Sequence, residues 1–481
     1  MGRITRRQFM AGSLAAGAWV LAAPCSRVLG ANGDIRVGVV GFNGQGMGHI
    51  QRFLKIPGVR VVALCDADAK VIERGVKTVG DQGGKVETYQ DVRRLLENKD
   101  IDAISTATPN HWHALITVWA CQAGKDVYVE KPTSHEIWEG RKAVEAARKY
   151  DRIVQAGTQG RSNTGLREAF EWIKAGNLGK IVAARGFCYK PRGSIGKVTG
   201  PTPIPPNVDY DLWCGPAPKE PLMRKNLHYD WHWVWPTGNG DIGNQGIHEM
   251  DMCRWALGQP GLAPRVFSFG GRFAYDDDAT TPNTLTAFYD YQPAPLIFEV
   301  RGLPRKTGDK GMDYYRTTQI GVVIDCEGGY FAGGQGGGWT YDKDAKKIKQ
   351  FPATGAEKHQ DNFIKAVRSR KREDLTADIL EGYLSSALCH MGNIPYRLGA
   401  QHKTEEIAET IKANKIMSES FERFQAHMKN NDVDLAKTPA TLGPVLEFDT
   451  AKEQFTGDLA DKANELVTRK YREPFVVPEK V

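Results

Sequence analysis

Short apolar runs at 35–40, 59–65, 101–107, 126–129 and 152–157 punctuate the first third of the chain. Between them, near 46–56, 68–79, 91–97, 112–123 and 136–150, apolar residues return at helical spacing. Near-continuous apolar runs of this length read as strands buried on both faces, and their alternation with helices predicts a parallel, doubly wound sheet. Right-handed crossovers would then place a ligand at the carboxyl ends of the strands.

The rhythm changes from about residue 159. A helix at 165–175 leads into a strand at 180–189, and a Pro/Gly-rich excursion follows at 191–221. An aromatic segment and a helix at 246–257 come next, then β-type runs over 264–330 separated by Gly, Pro and Asp turns. These predict an antiparallel sheet. Residues 358–369 and 376–391 read as helices, and Gly333–Gly338 as a flexible loop. The polar stretch 401–481, with scattered apolar anchors, is expected to wrap the surface. The division is thus 1–32 as a targeting segment, 33–158 as a nucleotide-binding domain, 159–400 as a substrate and oligomerisation domain, and 401–481 as a C-terminal extension.

The chain has 481 residues, 41% hydrophobic and 25% charged, enough for two domains with a large core. Arg3, Arg6, Arg7 and Arg27 are the only charged residues in the first thirty, so their removal lowers the formal charge from +7 to +3. No basic cluster remains to suggest nucleic acid. Arg6-Arg7-Gln8-Phe9-Met10 reads as a twin-arginine export signal, and the apolar run at 10–23 is too short and interrupted to span a bilayer. The alternative is a disordered basic N-terminus. Export implies a periplasmic address, a partner in the twin-arginine machinery, and cleavage near 28–32. Pro24 makes Cys25 a poor lipid-attachment site. The eight cysteines form no C-x-x-C pair, and several sit in apolar runs as buried free thiols would.

Gly41-Phe-Asn43-Gly44-Gln45-Gly46 falls between the first strand and the first helix. Gly41 permits a tight turn, and Gly46 lets the helix approach the sheet with its amides toward a pyrophosphate. The usual middle glycine is Asn43, which tolerates left-handed backbone better than most residues; Gly44 and Gly48 add slack. The second strand ends in Asp66, twenty residues after Gly46. A carboxylate there can accept from both ribose hydroxyls and would repel a 2′-phosphate, a repulsion that Asp68 repeats. This favours NAD over NADP. The competing role for Asp66 is capping the next helix. An exported protein that uses such a nucleotide must collect it before leaving, because soluble nicotinamide nucleotides are scarce outside.

Three further segments complete a pattern: Thr108-Pro109-Asn110-His111-Trp112-His113, Val129-Glu130-Lys131-Pro132, and Gly243-Asn244-Gln245-Gly246-Ile247-His248. With them the chain, over roughly 34–400, resembles the glucose–fructose oxidoreductase, inositol dehydrogenase and MocA (Gfo/Idh/MocA) family. The resemblance implies an α/β Rossmann domain plus an α+β domain with an open-faced, mainly antiparallel sheet, and activity on sugars and polyols. It also includes an NAD-dependent glycosidase branch with similar export signals. The family's helix usually carries Asp where this chain has Asn244. An amide cannot accept a proton at neutral pH, so the Lys–Asp–His arrangement is incomplete, although Asn244 can still bond a sugar hydroxyl.

Oxidising a carbinol requires a proton acceptor for the hydroxyl and positive charge near the oxygen. His248, with an unperturbed pKa of about 6.5, is the acid/base by type. Lys131 is the electrostatic partner and Asn244 an orienting group. The plainer alternatives are a strand-end surface lysine and a satisfied core histidine. Gly41, Asn43, Gly44, Gln45, Gly46, Asp66, Thr108, Pro109, Asn110, His113, Glu130 and Lys131 are expected around the cofactor. Tyr229, Trp231 and Trp233 could stack on sugar faces, with Gln159 and Arg161 reaching the same cleft; the alternative is a packed loop or subunit contact. Metal ligation by His228, Asp230 and His232 is not expected. His359 and Asn362 could join the domain interface. Three functions stand: an NAD-dependent oxidoreductase of a sugar or polyol, a glycosidase working by transient oxidation and elimination, and a non-catalytic sugar-binding protein. A homodimer or homotetramer is expected, since an open sheet face often pairs with another subunit.

Overall fold

The computed structural model describes residues 33–481. The export signal, its cleavage site and Cys25 lie outside the described residues. Strands β1 Ile35–Val40, β2 Val59–Cys65, β3 Glu87–Tyr89, β4 Ala103–Thr106, β5 Asp126–Val129 and β6 Val154–Ala156 form a sheet in the order β3-β2-β1-β4-β5-β6. Every pair is parallel. Helices α1 Gln45–Phe53, α2 Ala69–Gly80, α3 Val92–Glu97, α4 Asn110–Gln122 and α5 Ile137–Lys149 make the crossovers. The strand order reverses between β1 and β4, which opens a crevice beyond their carboxyl ends.

After α6 (Thr164–Lys174) comes a second sheet of twelve strands. It holds β7 Ile181–Cys188, β8 Arg265–Gly271, β9 Thr284–Tyr289, β10 Leu296–Arg301, β11 Ile320–Cys326, β12 Gly329–Gly334, β13 Gly337–Asp342 and β14 Lys347–Pro352. Late in the chain β15 Ala400–His402, β16 Ala440–Leu442, β17 Leu446–Asp449 and β18 Gln454–Thr456 join it. The main order is β14-β13-β12-β11-β7-β10-β9-β8-β16-β15, with β17 on β8 and β18 on β17. Only β7 and β10 pair in parallel. Helices α7 Gly246–Leu257, α8 His359–Ser369, α9 Ile379–Leu398 and α10 Lys415–Asn430 pack around the two sheets.

The long-range packing departs from the sequence reading in four places. First, α8 returns to the Rossmann sheet: Phe363, Ile364, Ala366 and Val367 join Ile35, Val37, Val39 and Tyr128 in one core, so 159–400 is not a single unit. Second, α9 runs on to Leu398 through Gly392 and Pro395. Burial overrides propensity here, and a Cβ on Gly392 would fall 2.4 Å from the Tyr289 hydroxyl. Third, the glycine run is not a flexible loop. Gly333 and Gly334 end β12, and Gly337 and Gly338 begin β13, leaving Gln335-Gly336 as the turn. A Cβ on Gly337 would lie 2.3 Å from the Phe351 carbonyl, so close backbone approach accounts for the glycine.

The fourth departure is the C-terminal extension, which does more than wrap the surface. Met417, Phe421, Phe424 and Met428 of α10 bury against Phe269, Phe273, Phe288 and Ile297, covering that part of the large sheet's face. Farther on, Phe475 packs edge-on against Trp112 with ring centroids 5.4 Å apart. Cys65, Cys121, Cys188, Cys214, Cys253, Cys326 and Cys389 are all free and buried.

Candidate active site

A cleft of about 960 Å³ lies where the Rossmann switch point meets α7 and the edge of the large sheet. Gly41, with φ +71°, makes the turn after β1. A Cβ there would fall 2.7 Å from the Thr108 backbone, and one on Gly46 would fall 2.2 Å from the Gly41 carbonyl oxygen. Both glycines are therefore required by close approach. No side chain caps α1 at Gly44, and of its first-turn amides Met47 donates to the Gly44 carbonyl at 3.0 Å while Gln45 and Gly46 precede the first intrahelical bond. Gly44 beside them has nothing within 4 Å of its Cβ position and lines the cleft. Asn43 is not in the left-handed region; it lines the cleft and its amide oxygen accepts from Arg74. The left-handed tolerance expected of Asn43 is not used, because Gly41 makes the turn alone.

Asp66 accepts from the Phe42 amide at 3.0 Å and the Asp68 amide at 3.0 Å, which fixes its carboxyl at the cleft wall. Burial raises it to about 6, against those two amide bonds. The cap of α2 is Asp68, not Asp66: its side chain accepts from the Lys70 amide. Asp66 thus keeps lone pairs for a ligand. An uncapped helix start, glycines too crowded for any side chain and an acid after β2 fit NAD, with the Gly41–Gly46 turn at the pyrophosphate and Asp66 at the ribose.

At the other end, Lys131 follows β5 and donates to the Asn244 backbone carbonyl at 2.8 Å. Burial lowers its pKa, while Glu130, Asp241 and Glu249 oppose the fall. His248 sits in the first turns of α7. Burial and the Lys131 charge push its imidazole down to about 3, and neither ring nitrogen has a hydrogen-bond partner among the described residues. Asn244 lines the cleft between them and donates to Asp241 at 3.4 Å. Asp241 in turn makes two 2.8 Å bonds with Arg192.

Glu130 is buried behind Lys131, accepting from Gln159 at 3.0 Å with His49 at 3.1 Å. Burial would raise it, but His49, Lys131 and His248 outweigh this and hold it at about 2. Gln45, Thr108, Pro109, Gln159, Tyr229 and Trp231 also line the cleft. Trp231 stacks on His232 at 3.6 Å between centroids, and Tyr229 is 52% exposed at the rim.

Several expected residues are spent elsewhere. Arg161 is buried against Asp251 at 2.9 Å and Glu381 at 2.9 Å, so its guanidinium holds structure and does not reach the cleft. Trp233 is absent from the lining; it is buried with the Arg192 guanidinium 5.3 Å above its ring. Asn110 and His113 line the cleft, but Asn110 donates to Asn239 at 2.9 Å and both His113 nitrogens lie against backbone carbonyls. They position loops. His228, Asp230 and His232 point to different partners, Asp68, Asn226 and the Tyr229 carbonyl. Among the described residues no group of three His, Cys, Asp or Glu could hold a metal. His359 joins β6 to the following turn, contacting the Ala156 carbonyl at 2.9 Å and Ser162 at 2.6 Å. Asn362 serves the segment after α8, accepting from the Thr376 amide at 2.9 Å.

Sequence reasoning missed Arg192, Asp241 and Gln245 at the Lys131 end, Gln335 from the glycine hairpin, and Leu212 and Trp213 at the Asp66 end. For Arg192, Leu212 and Trp213 the signal was the Pro/Gly-rich excursion itself, an irregular stretch too long to be a simple connection.

Comparison with known proteins follows the same outline. The description "Oxidoreductase family, NAD-binding Rossmann fold" matches residues 35–158, and "Oxidoreductase family, C-terminal alpha/beta domain" matches 173–294. An uncharacterized oxidoreductase, YrbE of Bacillus subtilis, is 27% identical over 47% of this chain and 54% of its own length. A glycosyl hydrolase family 109 protein of Shewanella pealeana is 34% identical over 22% of this chain and 25% of its own. The chain thus spans a quarter to about half the length of these curated relatives. Among solved structures, the WlbA dehydrogenase of Bordetella pertussis, in complex with NADH and UDP-GlcNAcA, superposes with a TM-score of 0.56 at 18% identity, covering 75% of this chain and 95% of that one. UDP-N-acetylglucosamine 3-dehydrogenase GnnA of Acidithiobacillus ferrooxidans gives 0.52 at 15%, covering 75% and 97%. The chain belongs to the Gfo/Idh/MocA oxidoreductase family, with an N-terminal NAD-binding Rossmann fold and a C-terminal α/β domain.

Proposed function

We propose that the protein is an exported, NAD-dependent oxidoreductase acting on a CH–OH group of a sugar or polyol. The observation that carries this reading is the convergence of Lys131, Asn244 and His248 on the same cleft as the Gly41–Gly46 turn and Asp66. When bound, NAD supplies a carbon that accepts hydride. The protein's part is proton and charge handling. His248 is neutral, with its nitrogens unengaged, and takes the hydroxyl proton; Lys131 stabilises the oxygen as negative charge develops. The Asn244 amide orients a neighbouring hydroxyl. Trp231 and Tyr229 offer apolar faces to the ring, as sugar C–H faces require. The sugar-nucleotide dehydrogenases among the structural neighbours support the substrate class.

Export through the twin-arginine route, with a periplasmic address, belongs to the same proposal. Seven buried thiols suit a chain folded before it crosses. Its cofactor would then stay bound, and a second substrate with a carbonyl would be needed to take back the hydride removed from the first carbinol. Pairing into a dimer or tetramer is also proposed. The test is a panel of sugars, polyols and glycosides added to purified protein while nicotinamide absorbance is followed. Reduction by at least one carbinol supports the reading; a cofactor-loaded protein inert to the whole panel sinks it and leaves the non-catalytic, sugar-binding reading standing.

A second reading rests on the glycosyl hydrolase names of relatives and on the amide at Asn244. Transient oxidation at C3 would acidify the C2 proton and permit elimination of a glycosidic leaving group; water would then add at C1 and a proton at C2, with hydride returned to C3 before release. It requires hydrolysis without net NADH and exchange of the C2 proton with deuterated water. Retention of that proton through turnover removes it.

A further inference from the structure

The Pro/Gly-rich excursion is not a loose loop. Residues 204–228 leave the second domain, cross to the Rossmann domain and pack on it around a small core of Val208, Trp213, Leu222 and Leu227 that takes in Ala67. Val208 forms an antiparallel bridge with Asp68. The Ala69 amide donates to the Asn207 carbonyl at 2.9 Å, and the Asp209 amide to the Ala67 carbonyl at 2.9 Å. Both Asp68 oxygens are engaged, by the Asn207 amide at 2.6 Å and by His228 at 3.0 Å. A second attachment lies at α4, where Trp112 donates to the Leu212 carbonyl at 3.1 Å and His111 lies 3.1 Å from the Trp213 carbonyl. Gly215 is pressed so close to Trp112 that a Cβ would fall 2.2 Å from the indole. Arg472 of the C-terminal extension holds Asp211 at 2.9 Å from outside.

The attachment is next to Asp66, the expected ribose acid. Beyond Asp66 the cleft continues between Gln90 and Asp91 on one side and Leu212, Trp213 and His228 on the other. In a nucleotide-binding sheet the space past the acid of the second strand receives the adenine half of the dinucleotide. We infer that segment 204–228 is the outer wall of the adenosine site, with Leu212 and Trp213 facing the nucleoside, and that NAD exchanges only when the Asp68 attachment opens. The inference rests on the NAD-dependent reading above and deepens it: it assigns cofactor retention to a segment of the second domain.

The test is cofactor exchange in the full chain. Protein purified from cells is mixed with excess isotope-labelled NAD, and bound label is followed by native mass spectrometry. Wild type should carry close to one unlabelled NAD per chain and exchange slowly. Asn207→Ala combined with His228→Ala removes both side-chain bonds to Asp68 and should speed exchange about tenfold. Should that double variant fold poorly, Asp68→Cys with Val208→Cys decides the matter within one sample. Residues facing across an antiparallel bridge lie about 4.5–5.5 Å apart at Cα, within disulfide range. The oxidised pair should exchange about tenfold more slowly than the reduced pair. Equal rates in the two redox states, or a folded double variant exchanging as wild type does, overturn the inference while leaving NAD dependence intact. A wild-type chain that binds no NAD at any concentration defeats the underlying reading instead.

Discussion

The two ends of the cleft are built on opposite principles. At the Asp66 end, polar groups already have protein partners: Asp66 holds two amides, Asp68 holds Asn207 and His228, and Trp213 and Leu212 give their carbonyls to α4. At the Lys131 end a buried ammonium has one backbone partner, and beside it an imidazole has none. A satisfied network rigidifies, and an unsatisfied buried group is costly until something binds it. On the proposed function, the first end holds the cofactor and the second carries the reaction.

The largest effect expected of that contrast is on Lys131. Lys131→Met should lower kcat/KM by about 10³-fold with cofactor content unchanged, checked by steady-state kinetics and by NAD release on denaturation. Equal loss of both would erase the distinction between the ends. His248→Ala should cost about 10²-fold or more in kcat. Because the imidazole is pushed down to about 3, it is neutral across the working range, and the pH profile of the wild type should show no acid limb near the ordinary histidine value. A limb there that vanishes in His248→Ala would mean the proton sits on His248 before substrate binds.

Arg161→Leu sharpens the comparison from outside it. Removing one partner from the buried Asp251 and Glu381 cluster should cost about 3 kcal/mol of stability in denaturant melts, with KM unmoved. Asp66→Asn should weaken NAD about tenfold by calorimetry and narrow the preference over NADP. In wild type the sign follows from the raised carboxyl: NAD binds the ionised form, so affinity should fall as pH drops below about 6. The smallest effect is expected at Glu249, a buried acid raised to about 8 mainly by burial. Its folded-state pKa lies above its unfolded value, so it favours the fold at low pH and that contribution is lost as pH rises through about 8. Glu249→Gln should flatten the decline of the melting temperature between the ordinary glutamate value and about pH 8.

The parts legible in the sequence were local ones. Gly41, Gly46 and Asp66 act within one strand–helix–strand unit, and Lys131 and His248 stand at element ends where periodicity breaks. The parts not legible depend on distance along the chain. Asp68 meets Asn207 and His228, and the Rossmann core is finished by Phe363 and Ile364, partners that no local pattern announces. Arg161 follows the last Rossmann strand, as a cleft residue would, and only the position of Asp251 and Glu381 reveals its other employment. The glycine run was legible as unusual but not as a hairpin, because a close backbone contact and a flexible loop demand the same residue.

Helix α9 carries a consequence for traffic through the site. Near its start Gly382 sits so tightly on β6 that a Cβ would lie 2.3 Å from Ala156, and ten residues on Gly392 is pressed against β9. One rigid rod is thus keyed into both sheets. A jaw-like opening of the two halves would have to break both contacts, and under the proposed function the substrate would enter the cleft where Tyr229, Thr354 and Glu357 line it.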